Sequence, residues 1–221
     1  MQTTSTAALC ENKVASVILA AMDPEAPVPV PMGHHHAVRF YGNDESLFTT
    51  VAGFLSEGLV AHEPAIVIAT PAHSAAIEEH LSGRLIDCAQ ARRSGDLVML
   101  DAEELLGQFM IGDEPDPELF DENVGLIVKQ VLDGRGRTIA RAYGEMVDVL
   151  WKQGRTEAAI KLEILWNKLA LKHSFALLCG YAMGSFYKQA KHLEDICAQH
   201  THVIGPDNII PFDTKRISRT A

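Results

Sequence analysis

Asn43, Asp44 and Glu45 stand at the junction where nucleotide chemistry would have to begin in this chain. The stretch Arg39-Phe40-Tyr41-Gly42-Asn43-Asp44-Glu45-Ser46 leaves a predicted strand and opens a predicted helix. A phosphate-binding loop would place glycines and a lysine there, so that backbone N–H groups and an ammonium hold the phosphates. Here a carboxylate pair occupies the first turn, and no lysine occurs between Lys13 and Lys129. Acids at a helix N-terminus suit the helix dipole, but they repel a triphosphate. A binding or sensing role fits these residues, and an NTPase does not.

The remaining chemistry-bearing residues fall into a few groups, each with a structural alternative. Arg141 and Glu145 flank the end of a predicted strand, Arg141-Ala142-Tyr143-Gly144-Glu145. A base beside an acid suggests an internal ion pair, a dipole complement or a ligand-facing pair. Glu163 and Asn167 are four residues apart on a predicted helix, with Trp166 beside them. They can bind a small polar ligand or pin the helix to a loop. Cys179, in the apolar run Phe175-Ala176-Leu177-Leu178-Cys179 before Gly180-Tyr181, is either an inert core thiol or a pocket wall.

Histidines supply a third possibility. His34-His35-His36 is the single histidine run, and Cys197 and His200 are three apart on the last predicted helix, close to His202. Cys197, His200 and His36 form a conceivable zinc or haem ligand set, but spacing of this kind is a weak signal. The expectation is no bound metal and no cofactor. No Ser-His-Asp or Cys-His catalytic signature is recognisable.

The elements that must position these residues alternate between strand and helix. Ala37 to Tyr41, Ala65 to Ala69, Asp96 to Leu100, Arg137 to Ala142 and Ser174 to Tyr181 read as strands, with a further short one through His202-Val203-Ile204. Asp44 to Ala61 reads as a helix with Phe48, Val51, Ala52, Leu55 and Leu59 on one face. Thr70-Pro71 is a helix start, with Thr70 as cap. Helices are also predicted for Asp101 to Met110, Pro117 to Leu132, Gly144 to Gln153, Thr156 to Lys172 and Ser185 to His200. This alternation implies a mainly parallel sheet with helices on both faces, whose ligands sit beyond the carboxyl ends of the strands. The positions to inspect are then Tyr41 to Glu45, Thr70 to His73, Asp101, Tyr143 to Glu145 and Cys179 to Tyr181.

Composition narrows the function. A net charge of −10 disfavours a nucleic-acid surface, and the block Asp101 to Val128 carries nine acidic residues and no Lys or Arg. No secretory signal and no apolar run near ~20 residues is expected. Four cysteines with no CxxC pair suggest reduced thiols in a cytoplasm. Residues 1–32 read as an extension ending in the proline-rich linker Asp23 to Pro31, residues 33–206 as one domain, and residues 207–221 as a loosely held tail.

Several segments together resemble one family. They are His36-Ala37-Val38-Arg39-Phe40-Tyr41, Phe54-Leu55-Ser56-Glu57-Gly58-Leu59, Gly144-Glu145-Met146-Val147, Leu162-Glu163-Ile164-Leu165-Trp166-Asn167 and Leu178-Cys179-Gly180-Tyr181. Their order and spacing resemble the MEDS domain, a prokaryotic sensory module of transcription regulators and histidine kinases, over about Gly33 to Pro206. The resemblance implies an α/β, RecA-like three-layer sandwich related to KaiC, without a functional Walker A loop. It further implies a non-enzymatic sensor for a small molecule, such as a simple hydrocarbon derivative. The candidate ligand-binding residues are His36, Tyr41, Asn43, Arg141, Glu145, Glu163, Trp166, Asn167, Cys179 and Tyr181. No DNA-binding helix pair or kinase segment is evident, so the signal is expected to pass to a partner, a histidine kinase or transcription regulator. RecA-like domains often pair, which makes a homodimer a reasonable assembly. A partner-switch module without ligand, and a metal or haem sensor, remain as alternatives.

Overall fold

The computed structural model describes residues 35–136, 138–183, 190–204 and 209–211. The proline-rich linker and nearly all of the C-terminal tail lie outside the described residues. Strands β1 (His36–Tyr41), β2 (Ala65–Ala69), β3 (Leu97–Asp101), β6 (Ala140–Gly144), β7 (Phe175–Ala182), β8 (His202–Ile204) and β9 (Ile209–Pro211) form one sheet in the order β3-β2-β6-β7-β1-β8-β9. All its pairings are parallel except β8 with β9. Beside it, β4 (Met110–Ile111) and β5 (Glu114–Pro115) make a small antiparallel hairpin.

The tail expected from residue 207 contributes a strand after all. Ile209 to Pro211 run antiparallel to β8, at the edge where a proline costs no ladder hydrogen bond.

Residues alternate between the two faces of each strand, and both faces are buried. Val38, Phe40, Ile66, Ile68, Ala140, Ala142, Leu177, Cys179 and Tyr181 belong to one core. Helices α4 (Ala102–Phe109), α5 (Pro117–Phe120), α6 (Leu126–Leu132), α7 (Met146–Lys152), α8 (Thr156–Ala170) and α9 (Ala190–Gln199) pack on that side. Ala37, Tyr41, Ala65, Val67, Tyr143 and Leu178 face the other core, under α1 (Asp44–Val60), α2 (Pro71–Gly83) and α3 (Cys88–Ser94). Burial on both faces is why the strands read as continuous apolar runs.

Helix starts follow local rules. Asn43 caps α1 by accepting from Ser46 N at 2.8 Å, and Asp101 caps α4 by accepting from Glu103 N and Glu104 N. Thr70 occupies the cap position of α2, but its hydroxyl makes no cap hydrogen bond. The helix expected over residues 117–132 is interrupted by one π turn, Asp121–Gly125. Among the described residues no helix is long and apolar enough to cross a membrane.

Arg141 is held at the amino ends of the strands. Its side chain is buried, with Nε donating to Glu63 Oε2 at 2.7 Å and Nη1 to Phe54 O at 2.8 Å. The expected pairing with Glu145 is therefore not made: the two stand at opposite ends of β6, and Glu145 turns to Thr70 N and His73 instead. Gly58 allows α1 to lie across the Arg141 stem, since a Cβ there would stand 2.5 Å from Arg141 Cδ.

Removing Glu63 takes the 2.7 Å carboxylate from the buried Arg141 and leaves it the half-exposed Glu57 at 3.4 Å, a weaker partner. Glu63→Ala is expected to cost on the order of 3 kcal/mol in urea unfolding, and Glu63→Leu combined with Arg141→Met to recover most of that loss. A double variant no more stable than Glu63→Ala would contradict this reading.

Candidate functional site

Two polar clusters are built into the fold, on different faces and at different levels of the sheet.

The first lies at the carboxyl ends of the strands. Tyr41 closes β1 and donates to Asp148 Oδ2 at 2.9 Å. Asp148 is fully buried at the start of α7, accepts from Ala182 N at 3.0 Å, and pairs with Lys152 Nζ at 2.7 Å one turn later. Glu145, also buried, takes Thr70 N at 3.3 Å through Oε2 and stands 2.9 Å from His73 Nδ1 through Oε1. His73 also faces Asp44 at 3.8 Å and Phe48 edge-on.

Asp148 and Lys152 were not among the residues read from the sequence, and His73 was a position to inspect but not a named ligand candidate. Their signal was available: His73 lies in the first turn after β2, and Asp148 and Lys152 sit at i and i+4 just beyond β6. Burial and the neighbouring Asp148, Glu145 and Asp44 charges push the Tyr41 hydroxyl far above its ordinary range, so it remains a donor. Burial works against the Lys152 charge, but Asp148 outweighs it and raises the amine above its ordinary value.

The second cluster lies beneath α8 and α9, over β1 and β7. Register places Val38 opposite Cys179 and His36 opposite Leu177, so His36 and Cys179 rise from neighbouring strands on one face. Helix α8 contributes Glu163 and Asn167 from successive turns, and His200 follows the end of α9. His36 Nε2 stands 3.0 Å from Glu163 Oε2 and 3.3 Å from Cys179 Sγ. Cys179 Sγ is 3.6 Å from Glu163 Oε2, Tyr181 donates to Glu163 Oε1 at 2.8 Å, and His200 Nε2 lies 3.4 Å from Glu163 Oε1. His36 Nδ1 meets Asn167 Oδ1 at 2.8 Å, and Asn167 Nδ2 donates to Gln199 O at 2.9 Å.

His36, Glu163, Cys179 and His200 are all buried, and a ligand-type atom of each lies within 4.8 Å of the others. Burial raises the Cys179 thiol and the Tyr181 hydroxyl well above their ordinary ranges, with Glu163 adding to both. Burial would raise Glu163 too, but His200, His36 and Tyr181 outweigh it and hold the carboxyl below its ordinary range. Burial, aided by His36, pushes His200 down to about 4, so its ring is neutral near pH 7.

The structure thus divides the ten candidates. Tyr41, Asn43 and Glu145 gather at the strand ends, with the Asn43 side chain spent on its helix cap. His36, Glu163, Asn167, Cys179 and Tyr181 gather in the second cluster, in mid-sheet rather than beyond it. Arg141 stands apart at the amino ends. Trp166 sits in the apolar core, edge-on to Phe120 and Phe175. Of the set Cys197, His200 and His36, the two histidines converge; Cys179 and Glu163 stand where Cys197 was expected, and Cys197 packs in the core. His202 packs edge-on against His35 instead.

A mainly parallel sheet of this order, covered by helices on both faces, has a RecA-like fold, and an acidic helix start without a Walker A sequence follows β1. The family model described as "MEthanogen/methylotroph, DcmR Sensory domain" matches residues 35–201, and the chain belongs to this MEDS family of sensory domains. No curated protein matches the chain. Among solved structures, the KaiC-like protein PH0186 from Pyrococcus horikoshii OT3 is similar at a TM-score of 0.52 and 13% identity, covering 77% of this chain and 71% of that one. At that identity the likeness speaks for the fold alone.

His73 gives the strand-end cluster a pH signature. The contact with Glu145 raises its ring above the ordinary value, outweighing burial. A raised folded value means this stabilisation is complete below the unfolded value of about 6.5 and is lost as pH climbs through the folded one. Urea unfolding of the wild type minus His73→Gln is expected to show a difference that shrinks with rising pH over that window. A difference that grows would reverse the assignment.

Proposed function

We propose that this chain is a non-enzymatic sensor that holds a small polar molecule at the carboxyl ends of its strands and signals to a partner regulator. The observation that carries this reading is the chemistry of the β1–α1 junction. Asn43 uses its side chain to cap α1, Asp44 and Glu45 line the first turn, and the buried carboxylates Glu145 and Asp148 stand just behind. Such a surface repels phosphate. It suits a small neutral or cationic molecule with a hydroxyl or amine, of the kind a simple hydrocarbon derivative offers. The membership in a sensory family supports the signalling half of this reading.

A ligand shifts a conformational equilibrium only through different affinities for two states. The groups at hand for such a difference are His73 and Lys152, which are partly exposed and paired to buried acids. A ligand amine or hydroxyl that takes over Asp148 or Glu145 would release one of them. The partner is expected to be a histidine kinase or transcription regulator.

A second reading, a partner-switch module without ligand, is favoured by one observation: Asp148 is already satisfied by Tyr41, Lys152 and Ala182 N. The β4–β5 hairpin is also tied down: Arg155 donates to Gly112 O, and Lys161 of α8 pairs with Glu114.

Thermal-shift titration distinguishes these readings. Magnesium ATP at about 1 mM should give no shift and no hydrolysis, although a ligand of Kd about 100 µM would add about 1.4 kcal/mol. Short-chain alcohols, amines and aldehydes should include at least one stabiliser whose effect Asp148→Asn abolishes. Nucleotide turnover by pure protein would refute the sensor reading, and silence of the whole panel would favour the partner switch.

A further inference from the structure

The buried cluster under α8 has an electron-rich centre, and its outer hydrogen bonds decide this. The His200 ring sets Nδ1 2.7 Å from Ile196 O. A carbonyl oxygen only accepts, so Nδ1 carries the proton and the neutral ring presents Nε2 as a lone pair. That atom is buried, finds no hydrogen-bond partner among the described residues, and faces Glu163 Oε1 at 3.4 Å. A lone pair and a carboxylate oxygen thus face each other.

His36 repeats the arrangement. Asn167 Nδ2 is committed to Gln199 O, so Asn167 turns its Oδ1 toward His36 Nδ1. His36 then donates from Nδ1 and turns Nε2 toward Glu163 and Cys179. Each histidine is oriented from outside by a carbonyl oxygen and offers Nε2 to the same centre, and Tyr181 anchors the carboxylate. This is the outer shell that metal-ligating histidines and carboxylates need.

We propose that His36, Glu163, Cys179 and His200 form a four-ligand site for a divalent transition ion of the zinc class. Tetrahedral ligands about 2.0–2.3 Å from an ion stand about 3.3–3.8 Å from one another. Four of the six separations are 3.0, 3.3, 3.4 and 3.6 Å, taken to either Glu163 oxygen, and all the ligand atoms lie within 4.8 Å of one another, so small side-chain adjustments admit an ion. Two imidazoles, a carboxylate and a thiolate form a borderline donor set that suits Zn²⁺, Co²⁺ or Ni²⁺ over Mg²⁺ or Ca²⁺. Binding displaces the Cys179 proton to solvent, and the ion replaces it as the thiolate's partner. With four protein ligands and full burial, the site is closed. It fastens β1, β7, α8 and the end of α9 rather than holding a reactive water. It stands independently of any small molecule at the strand ends.

The test uses the full chain, purified without a metal-affinity tag and followed by elemental analysis and cobalt substitution. One equivalent of metal per chain is expected, and Co²⁺ should give tetrahedral visible bands with a thiolate charge-transfer band. Cys179→Ser should lose the charge-transfer band, and Cys197→Ser should keep it. Asn167→Ala leaves all four ligands in place, and should keep the band with metal affinity lowered 10–100-fold. It decides the matter if Cys179→Ser proves unfolded by circular dichroism. Folded wild-type protein that takes up no stoichiometric zinc or cobalt overturns the proposal. So does a charge-transfer band that survives Cys179→Ser or vanishes in Cys197→Ser, or an Asn167→Ala protein that binds as tightly as the wild type.

Discussion

A carboxylate fully removed from water is the constraint around which one half of this molecule is arranged. An isolated ionised acid cannot be buried without a compensating partner, because the desolvation cost exceeds anything packing returns. Glu163 accepts from Tyr181 on β7 and is ringed by His36 on β1, Cys179 on β7 and His200 after α9, at 3.0, 3.6 and 3.4 Å. Asn167, one turn along α8, extends the network to His36 and to the α9 carboxyl end. These elements lie far apart in sequence, and the carboxylate gives them a shared fixed point. The strand pairings add to it, since Thr201 N donates to His36 O and couples the entry of β8 to the start of β1.

The strand-end cluster obeys the same rule with different means. Asp148 and Glu145 are buried, but their cations, Lys152 and His73, are partly exposed. Charge compensation there is open to solvent and to whatever solvent brings, whereas around Glu163 it is sealed. Near the end of β6, Glu145 and Asp148 face the basic side chains His73 and Lys152, and the β1–α1 junction opposite is a capped, acidic helix start.

Much of this was legible in the sequence, and the limits have physical causes. The central strands and α1 were readable because they are apolar runs or periodic faces bounded by Asn43, Pro71 and the glycines. The hairpin at residues 110–115 and α3 were missed, being too short for periodicity to register. Glu163, Asn167, His36 and Cys179 were recognised one by one. What sequence spacing could not supply was their convergence, which depends on the register of β1 against β7 and on the angle of α8 across them. Cys197 was favoured over Cys179 because three-residue spacing on a helix is visible in sequence, whereas adjacency across a parallel pair is not. The Arg141 pairing failed for a related reason. Residues four apart on a strand share a face but stand about 13 Å apart along it, too far to pair.

The two clusters share their strands, and this bears on how a sensor of this kind can work. β1 begins at His36 and ends at Tyr41, roughly 16 Å apart by strand rise. β7 carries Cys179 and Tyr181 into one cluster and lends Ala182 N to the other. A parallel sheet buried on both faces has little freedom to bend, so it is poorly suited to act as the moving part. It is better suited to hold the clusters in fixed relation while elements at its borders respond. Helix α9 is such a border element: among the described contacts its hold on the cluster runs through His200 and the Gln199 carbonyl. It leads directly into β8 and β9 at the sheet edge. A change around Glu163 therefore reaches α9 through His200 and Asn167, and from there the β8 edge of the sheet.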